Sequence, residues 1–210
     1  MRFISYFMNT DKIAIGVVLI PPDEIIKLAI DINKTFTETV AENFVLDFKT
    51  CIPHVTLLMG LVDREQLLEV ERRLSILIEN FSALNLKIIG LHSSERSDNK
   101  VVSGFVIEKT AELQKIHEVI LAEMSSIFTY DNVQSEMFFS PPSVNEVPMF
   151  WVKGFAKTSV RENYNPHITL GIGRPKQEIN HLEFTASKLA LCHFGNYCTC
   201  RDILWSALLR

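Results

Sequence analysis

The chain has 210 residues, 47% of them hydrophobic, and a formal net charge of −4. This is enough apolar material for a sizeable core, in one generous domain or two small lobes. Proteins that hold long nucleic acid by charge need clustered Lys and Arg, so the acidic balance argues against binding to long DNA. No apolar run reaches the roughly eighteen residues of a membrane span. We therefore expect no membrane association and a cytoplasmic location.

Four cysteines are too few for a disulfide scaffold in a chain of this length, and we expect them to be reduced and buried. His193 stands next to Cys192 and close to Cys198 and Cys200. This spacing differs from the paired Cys-x2-Cys pattern of zinc sites. The sequence therefore predicts no metal and no cofactor.

The first half of the chain alternates between short strands and amphipathic helices. Residues 13–20 are predicted to form a strand, and the two prolines after it open a helix. A second strand is predicted over 52–59. Asp63 and Gln66 are typical of a capping box at the start of the next helix.

The second half follows the same alternation. Strands over 84–91 and 101–108 suit a hairpin, and Thr110 is predicted to begin a helix. Residues 129–150 lose periodicity and contain three prolines, which favours a long irregular segment. Three further strands are predicted to complete the chain: 166–172, 184–194 and 198–209.

Two of the predicted strands carry the same polar pair, in "PHVTL" and in "PHITL". The two histidines, His54 and His167, are 113 residues apart (167 minus 54), about half the chain. A coincidence between two core strands is the alternative, but the flanking Pro, Leu and Gly also match. The pattern indicates an internal repeat centred on 54–60 and 167–173. The other histidines lack such a partner, so we expect His92 at the surface and His117 at the edge of a helix.

The repeated pair has a chemical meaning. Alternate side chains of a strand share a face, so the histidine and threonine of each motif project together. Displacement at phosphorus needs a base for the attacking group and an acid for the leaving oxygen, and histidine serves both roles near neutral pH. Threonine hydroxyls can donate hydrogen bonds to the phosphate oxygens. If the halves pack symmetrically, the four groups meet in one cleft suited to phosphate ester chemistry without a metal.

The two motifs, together with "IAIGVVLIPPDEIIKLA" near the start, resemble the two-histidine (2H) phosphoesterase superfamily. This group includes bacterial 2',5' RNA ligase-like proteins and cyclic nucleotide phosphodiesterases. The resemblance implies an α+β fold in which residues 1–210 form one bilobal domain. Two antiparallel sheets would face a central cleft, with the helices outside. It also implies hydrolysis of 2',3'-cyclic phosphates or of 2',5' linkages, in RNA ends or small nucleotides.

The resemblance also implies roles for individual residues. His54 and His167 become the acid–base pair, with His54 favoured as the acid, while Thr56 and Thr169 bind phosphate. Many RNA ligase-like members have an arginine close behind the second motif, whereas here it is delayed to Arg174. The candidates for further substrate contacts are Arg174, Tyr164 and Trp151.

A non-catalytic module that binds a nucleotide or an RNA end in the same cleft is the alternative function. Loss of a motif histidine or threonine would favour it, and all four residues are present. In either case we expect a monomer whose partner is a small nucleotide or an RNA terminus, with neither a membrane nor long DNA involved.

Overall fold

The computed structural model of the chain describes residues 11–37, 44–95, 100–141 and 143–210. The strands in these ranges are β1 (Lys12–Ile20), β2 (Val55–Asp63), β3 (Leu84–Glu95), β4 (Val101–Ile107), β5 (His167–Ile172), β6 (Leu182–Ala186), β7 (Lys188–Phe194) and β8 (Cys200–Leu208). The helices are α1 (Asp23–Thr37), α2 (Leu67–Ile78), α3 (Ala111–Met124) and α4 (Glu146–Thr158).

The eight strands form a single antiparallel sheet in the order β6-β3-β4-β5-β2-β1-β7-β8. The α+β class is confirmed, but the two sheets expected from the resemblance are joined into one. The first half of the sheet is β2-β1-β7-β8 and the second half is β5-β4-β3-β6. They meet where Val55 of β2 pairs with Ile168 of β5. Each of these residues directly follows a motif histidine, so the two motifs meet at the junction.

The two halves exchange helices. α1 follows β1 but contacts β5, and α3 follows β4 but contacts β2. Both helices present apolar side chains at spacings of three and four residues, which form one buried stripe. The buried stripes join one contiguous hydrophobic core and include Ile25, Ala29, Ile32, Leu113, Ile116 and Ile120. Each motif strand is therefore covered by the helix of the opposite half.

Helix starts agree only in part with the sequence. Thr110 caps α3 as predicted, because its side-chain oxygen accepts a hydrogen bond from the backbone N–H of Leu113 at 3.2 Å. The capping box at Asp63 is wrong. β2 runs on to Asp63, which makes no capping hydrogen bond, and the 3-10 turn Arg64–Gln66 separates it from α2.

The irregular segment is shorter than the predicted 129–150, because α4 begins within it. The side-chain oxygen of Asn145 accepts a hydrogen bond from the N–H of Val147 at 3.0 Å and caps this helix. Pro148 lies in the first turn of α4, where an N–H has no partner within the helix, so proline is tolerated.

The last predicted hairpin is also different. The predicted strand 184–194 is divided at Ser187 into β6, which pairs with β3, and β7, which pairs with β1. The chain therefore crosses from one half of the sheet to the other at this point. A continuous run of strand-forming residues concealed the crossing in the sequence.

The cysteines include one bonded pair. Cys192 of β7 and Cys200 of β8 form a disulfide, with their Cα atoms 5.5 Å apart, so the prediction of four reduced thiols is wrong for this pair. Cys51 and Cys198 are free and buried. Within the described ranges, no helix has both the length and the apolar character needed to cross a membrane.

Candidate active site

The two motif histidines flank the junction of the sheet. His54 directly precedes β2 and His167 begins β5. The following residues, Val55 and Ile168, are buried, whereas the motif threonines are half-buried. The threonines therefore project from the opposite face, which we call the open face of the sheet.

Each motif imidazole is held in the same way. Nδ1 of His54 donates a hydrogen bond to the carbonyl of Ile52 at 2.8 Å, and Nδ1 of His167 donates to the carbonyl of Asn165 at 2.8 Å. A carbonyl oxygen only accepts, so Nδ1 carries the proton in both rings. In the neutral state Nε2 is then the nitrogen that can take up a proton.

A β-bulge follows each motif threonine. The register of β1 with β2 skips Leu57, and that of β4 with β5 skips Leu170. These two residues are also 113 positions apart, so the repeat extends to the backbone irregularity. A bulge leaves its extra residue out of the ladder and turns the strand. The repeated bulge ends each His-x-Thr pair at the same point of its strand.

A buried polar side chain satisfies the carbonyl of each bulge. Nδ1 of His117 in α3 donates to the carbonyl of Leu57 at 2.6 Å, and Nδ2 of Asn33 in α1 donates to that of Leu170 at 2.8 Å. His117 and Asn33 are both 0% exposed. An unpaired buried carbonyl costs about 1–3 kcal/mol. The exchanged helices therefore stabilise the two bulges.

Tyr164 contacts both the first motif and His117. Its ring stacks on His117 with centroids 4.0 Å apart, and its hydroxyl donates to the carbonyl of Thr56 at 3.1 Å. Burial raises the pKa of Tyr164, which is only 4% exposed. Nε2 of His117 accepts a hydrogen bond from the backbone N–H of Arg161 at 3.0 Å, so this ring is neutral, and burial lowers its pKa. Tyr164 therefore contacts the backbone of the motif.

The two motif imidazoles differ in electrostatics. Burial lowers the pKa of His54 to about 4; its hydrogen bond to Ile52 opposes this shift and the charge of His167 adds to it. The surrounding protein atoms also lower the pKa of His167, although water reaches its side chain, and the charge of His92 contributes. His54 is half-buried and His167 is exposed, so the charged form costs less at His167, which takes up the first proton.

A cavity of about 20 Å³ connects the two halves of the site. It is lined by His54 from one motif and Thr169 from the other, with Phe44 and Tyr197 at its wall. Its volume suits about one water molecule, so a larger ligand has to lie outside it, on the open face. Among the described residues, no group of three or more His, Cys, Asp and Glu side chains could hold a metal ion.

Phe194 packs against the first motif histidine. Its ring centroid lies 5.6 Å from that of His54. The ring passes over Gly16 of β1, where a Cβ atom would come within 2.0 Å of it. A side chain at Gly16 would therefore displace Phe194 and remove apolar cover from His54.

Two candidates for substrate contacts lie away from this cavity. Arg174 lines a separate groove of about 410 Å³ with Leu91 and Ser93. Trp151 is half-buried on α4 and packs against the hydrophobic core. Their role in substrate binding stays a prediction.

Similarity to known proteins is visible in the fold. No protein-family model and no curated protein sequence matches the chain. The crystal structure of TT0787 of Thermus thermophilus is similar over 94% of this chain and 98% of its own, with a TM-score of 0.59 and 16% identity. The chain shares its fold with TT0787. Apo E. coli LigT matches over 94% and 97% of the two chains, with a TM-score of 0.47 and 13% identity.

A second E. coli LigT structure, complexed with 3'-AMP, matches over 93% of this chain and 96% of its own. Its TM-score is 0.45 and its sequence identity is 14%. At such identities the likeness extends to the fold, and the chemistry has to be argued from the residues of this chain.

Sequence analysis missed the supporting residues of this fold. His117, expected at the border of the apolar face of its helix, is instead fully buried, and Asn33, also fully buried, was not among the predicted residues. Such a residue needs a partner, but which strand supplies it depends on the exchange of helices between the halves. His92, expected at the surface, is indeed exposed, but it lies on the open face of β3.

Proposed function

We propose that the chain is a phosphodiesterase that opens 2',3'-cyclic phosphates or cleaves 2',5' linkages in RNA ends or small nucleotides. His54 and His167 act as its acid–base pair. The observation that carries this proposal is their matched geometry on either side of one strand junction, with each Nδ1 fixed by the carbonyl two residues earlier. Two Nε2 atoms are thus available for proton transfer on the two sides of a phosphorus atom.

The order of protonation assigns the roles. In a singly protonated site the proton resides on His167, because His167 is exposed to water whereas burial lowers the pKa of His54 to about 4. His54 then removes the proton from the attacking water, and His167 protonates the departing ribose oxygen. This is the reverse of the order that the family resemblance favours.

A bound substrate also changes the charge distribution around the two motif histidines. Thr56 and Thr169 donate hydrogen bonds to the non-bridging phosphate oxygens, which stabilises the charge that develops there. A phosphodiester anion between the imidazoles also favours the imidazolium form. Binding therefore raises the pKa values that burial lowers in the empty site.

A substrate panel tests the proposal. The full chain is incubated, in the presence of EDTA, with a nucleoside 2',3'-cyclic phosphate, ADP-ribose cyclic phosphate and a 2',5'-linked dinucleotide. A 3',5'-linked dinucleotide serves as the control, and phosphorus NMR separates 2'- from 3'-phosphate products. We expect turnover with EDTA present and a 2'-phosphate from the cyclic substrate. Loss of all turnover in EDTA, or no turnover of any member, contradicts the proposal.

The same panel distinguishes the non-catalytic alternative. If calorimetry shows tight mononucleotide binding while no substrate is turned over, the cleft is a nucleotide-binding module. The complete set of motif residues is the reason why we favour catalysis.

A further inference from the structure

The open face continues beyond the two motifs, over β4 and β3. The register places His92 of β3 level with Gly104 of β4, and Gly104 level with Thr169 of β5. Paired residues of adjacent antiparallel strands share a face, so His92 and Thr169 project from the same side of the sheet. Gly104 has no side chain to separate them. A Cβ there would come within 2.8 Å of the carbonyl oxygen of Ile168, so the close approach of the strands requires glycine.

A second row runs parallel to this one. Gly90 of β3 is level with Val106 of β4, and Val106 is level with His167 of β5. A Cβ built on Gly90 would meet no atom of the described residues within 4 Å, so none of them fills this end of the row. We call the two rows together the β3–β4 floor: His92, Gly104, Thr169, Gly90, Val106 and His167.

His92 lies at the β3 end of the row that begins at Thr169, and its imidazole can form hydrogen bonds. It is exposed, and its Nε2 forms a hydrogen bond with the Ser94 hydroxyl. Two strand spacings, about 10 Å, separate the backbones at Thr169 and His92. The gap between them suits two phosphate groups that belong to one nucleotide.

The first half of the sheet has no such floor. The corresponding row there begins at Thr56, continues through Val18 of β1 and ends at Ala190 of β7. Val18 and Ala190 are both 0% exposed, so other parts of the chain cover this row. In the second half Gly104 is also buried, but His92 is exposed and Val106 is half-buried. A substrate that extends beyond the motifs can therefore contact these side chains, whereas the corresponding positions Val18 and Ala190 of the first half are covered.

We propose that the β3–β4 floor binds the part of the substrate on the 5' side of the reacting ribose, with His92 contacting its 5'-phosphate. This inference rests on the proposed function and deepens it. The substrate class becomes an RNA end, or a nucleotide that carries a 5'-phosphate, in preference to a simple nucleoside cyclic phosphate.

Three cyclic substrates test the floor. They are adenosine 2',3'-cyclic phosphate, its 5'-phosphorylated form, and the dinucleotide ApA with a 2',3'-cyclic phosphate end. We expect kcat/KM about tenfold or more higher for the two forms that carry the 5'-side phosphate, on the scale of a hydrogen bond to a charged group. The His92→Ala variant should remove this preference through KM. Because the charge of His92 also lowers the pKa of His167, the three substrates are compared at one pH by the ratios of their kcat/KM values within each variant.

The matched control is Lys115→Ala, which removes an exposed positive charge from α3. This variant should keep the preference. Equal kcat/KM for all three substrates in the wild type overturns the inference, and so does an equal loss on all three in His92→Ala. Preference for the dinucleotide alone, with equal kcat/KM for the two mononucleotides, would assign the contact to the preceding nucleoside, which contradicts the role of His92.

Calorimetry separates failure of the floor from failure of the proposed function. Adenosine 2',5'-bisphosphate should bind about tenfold more tightly than adenosine 2'-phosphate, and His92→Ala should abolish the difference. Absence of turnover with this difference intact overturns the proposed function and supports the floor. Equal affinities in the wild type overturn the floor, whether or not turnover is seen.

Discussion

The two halves of the sheet carry the same motif, but His54 is half-buried beside Phe194, whereas His167 is exposed and is influenced by His92. The halves share the hydrogen bond at Nδ1 and the bulge after the threonine. The backbone geometry positions the Nε2 atoms of the two motif histidines. Both halves have the same backbone geometry because both histidines need the same position. The surroundings determine proton affinity and substrate access, and there the halves differ.

The two buried side chains that bind the bulge carbonyls also combine a shared backbone contact with different surroundings. Asn33 and His117 are different residue types, yet each donates to the carbonyl of its bulge. Asn33 also donates to the carbonyl of Phe44 at 3.0 Å and accepts from the N–H of Leu46 at 2.9 Å, so it holds a wall of the cavity. His117 instead packs on Tyr164. Asn33 and His117 thus have the same role toward the bulge carbonyls, but their other contacts are to different parts of the chain.

The largest effect should come from removing either motif imidazole. We expect His54→Ala and His167→Ala each to lower kcat by about 10²–10⁴, the range for lost acid–base groups. Rates on a cyclic nucleotide would be compared with those of His181→Ala, which removes an exposed histidine outside the motifs. A variant of either motif histidine with full activity would show that the halves are not chemically equivalent.

Removing either bulge support should destabilise the fold. Asn33→Ala and His117→Phe both leave buried polar groups unsatisfied, so the free energy of unfolding should fall by about 2–3 kcal/mol in each. Urea denaturation measures this, with Asn85→Ala as the control, because Asn85 is exposed and bonds only at the surface of the sheet to Thr185. If the free energy of unfolding falls in only one of the two variants, only one bulge is stabilised by the helix that contacts it.

The pH dependence of activity should reveal the two lowered pKa values. The reaction needs one neutral and one protonated imidazole, and kcat/KM reports the free enzyme. Since surrounding protein atoms displace water from both His54 and His167 and lower their pKa values, kcat/KM should peak on the acid side of pH 6.5. The kcat profile should peak at higher pH, because bound phosphate raises both values. A kcat/KM maximum above pH 7 would contradict this assignment.

The free energy of unfolding should also depend on pH through buried histidines, and this effect should be smaller than the effects on activity. In the unfolded chain a histidine takes up its proton near pH 6.5, whereas the folded chain holds His54 and His117 neutral to lower pH. The unfolded state therefore binds more protons below pH 6.5, and the free energy of unfolding falls as pH drops. The slope is at most about 1.4 kcal/mol per pH unit for each such histidine. Urea titrations above and below pH 6.5 measure it, and His117→Phe should reduce it.

The sequence made the α+β class and the two motif strands readable, because strand periodicity and the repeat are local patterns. Placement of the motif residues at one sheet junction agrees with that reading, and their catalytic role stays a prediction. The position of His92 was not readable. It depends on the bulge in β3 after Ile88 and on the extension of that strand to Glu95, both of which follow from pairing with β4.

Other features depend on contacts between distant parts of the chain. The division of 184–194 at Ser187 arises because its two pieces find partners in opposite halves. The disulfide requires the β7–β8 hairpin to bring Cys192 and Cys200 together. No local pattern encodes the division at Ser187. The predicted strands 184–194 and 198–209 did place Cys192 and Cys200 on adjacent strands, but the prediction of reduced thiols set that signal aside.

The exchange of helices has a consequence for how such a chain can be divided. α1 contacts β5 and α3 contacts β2, so a fragment containing one half would leave its own motif strand uncovered. Its helix would also expose an apolar stripe to water. The two halves are complementary fragments, each of which needs the other to close its core.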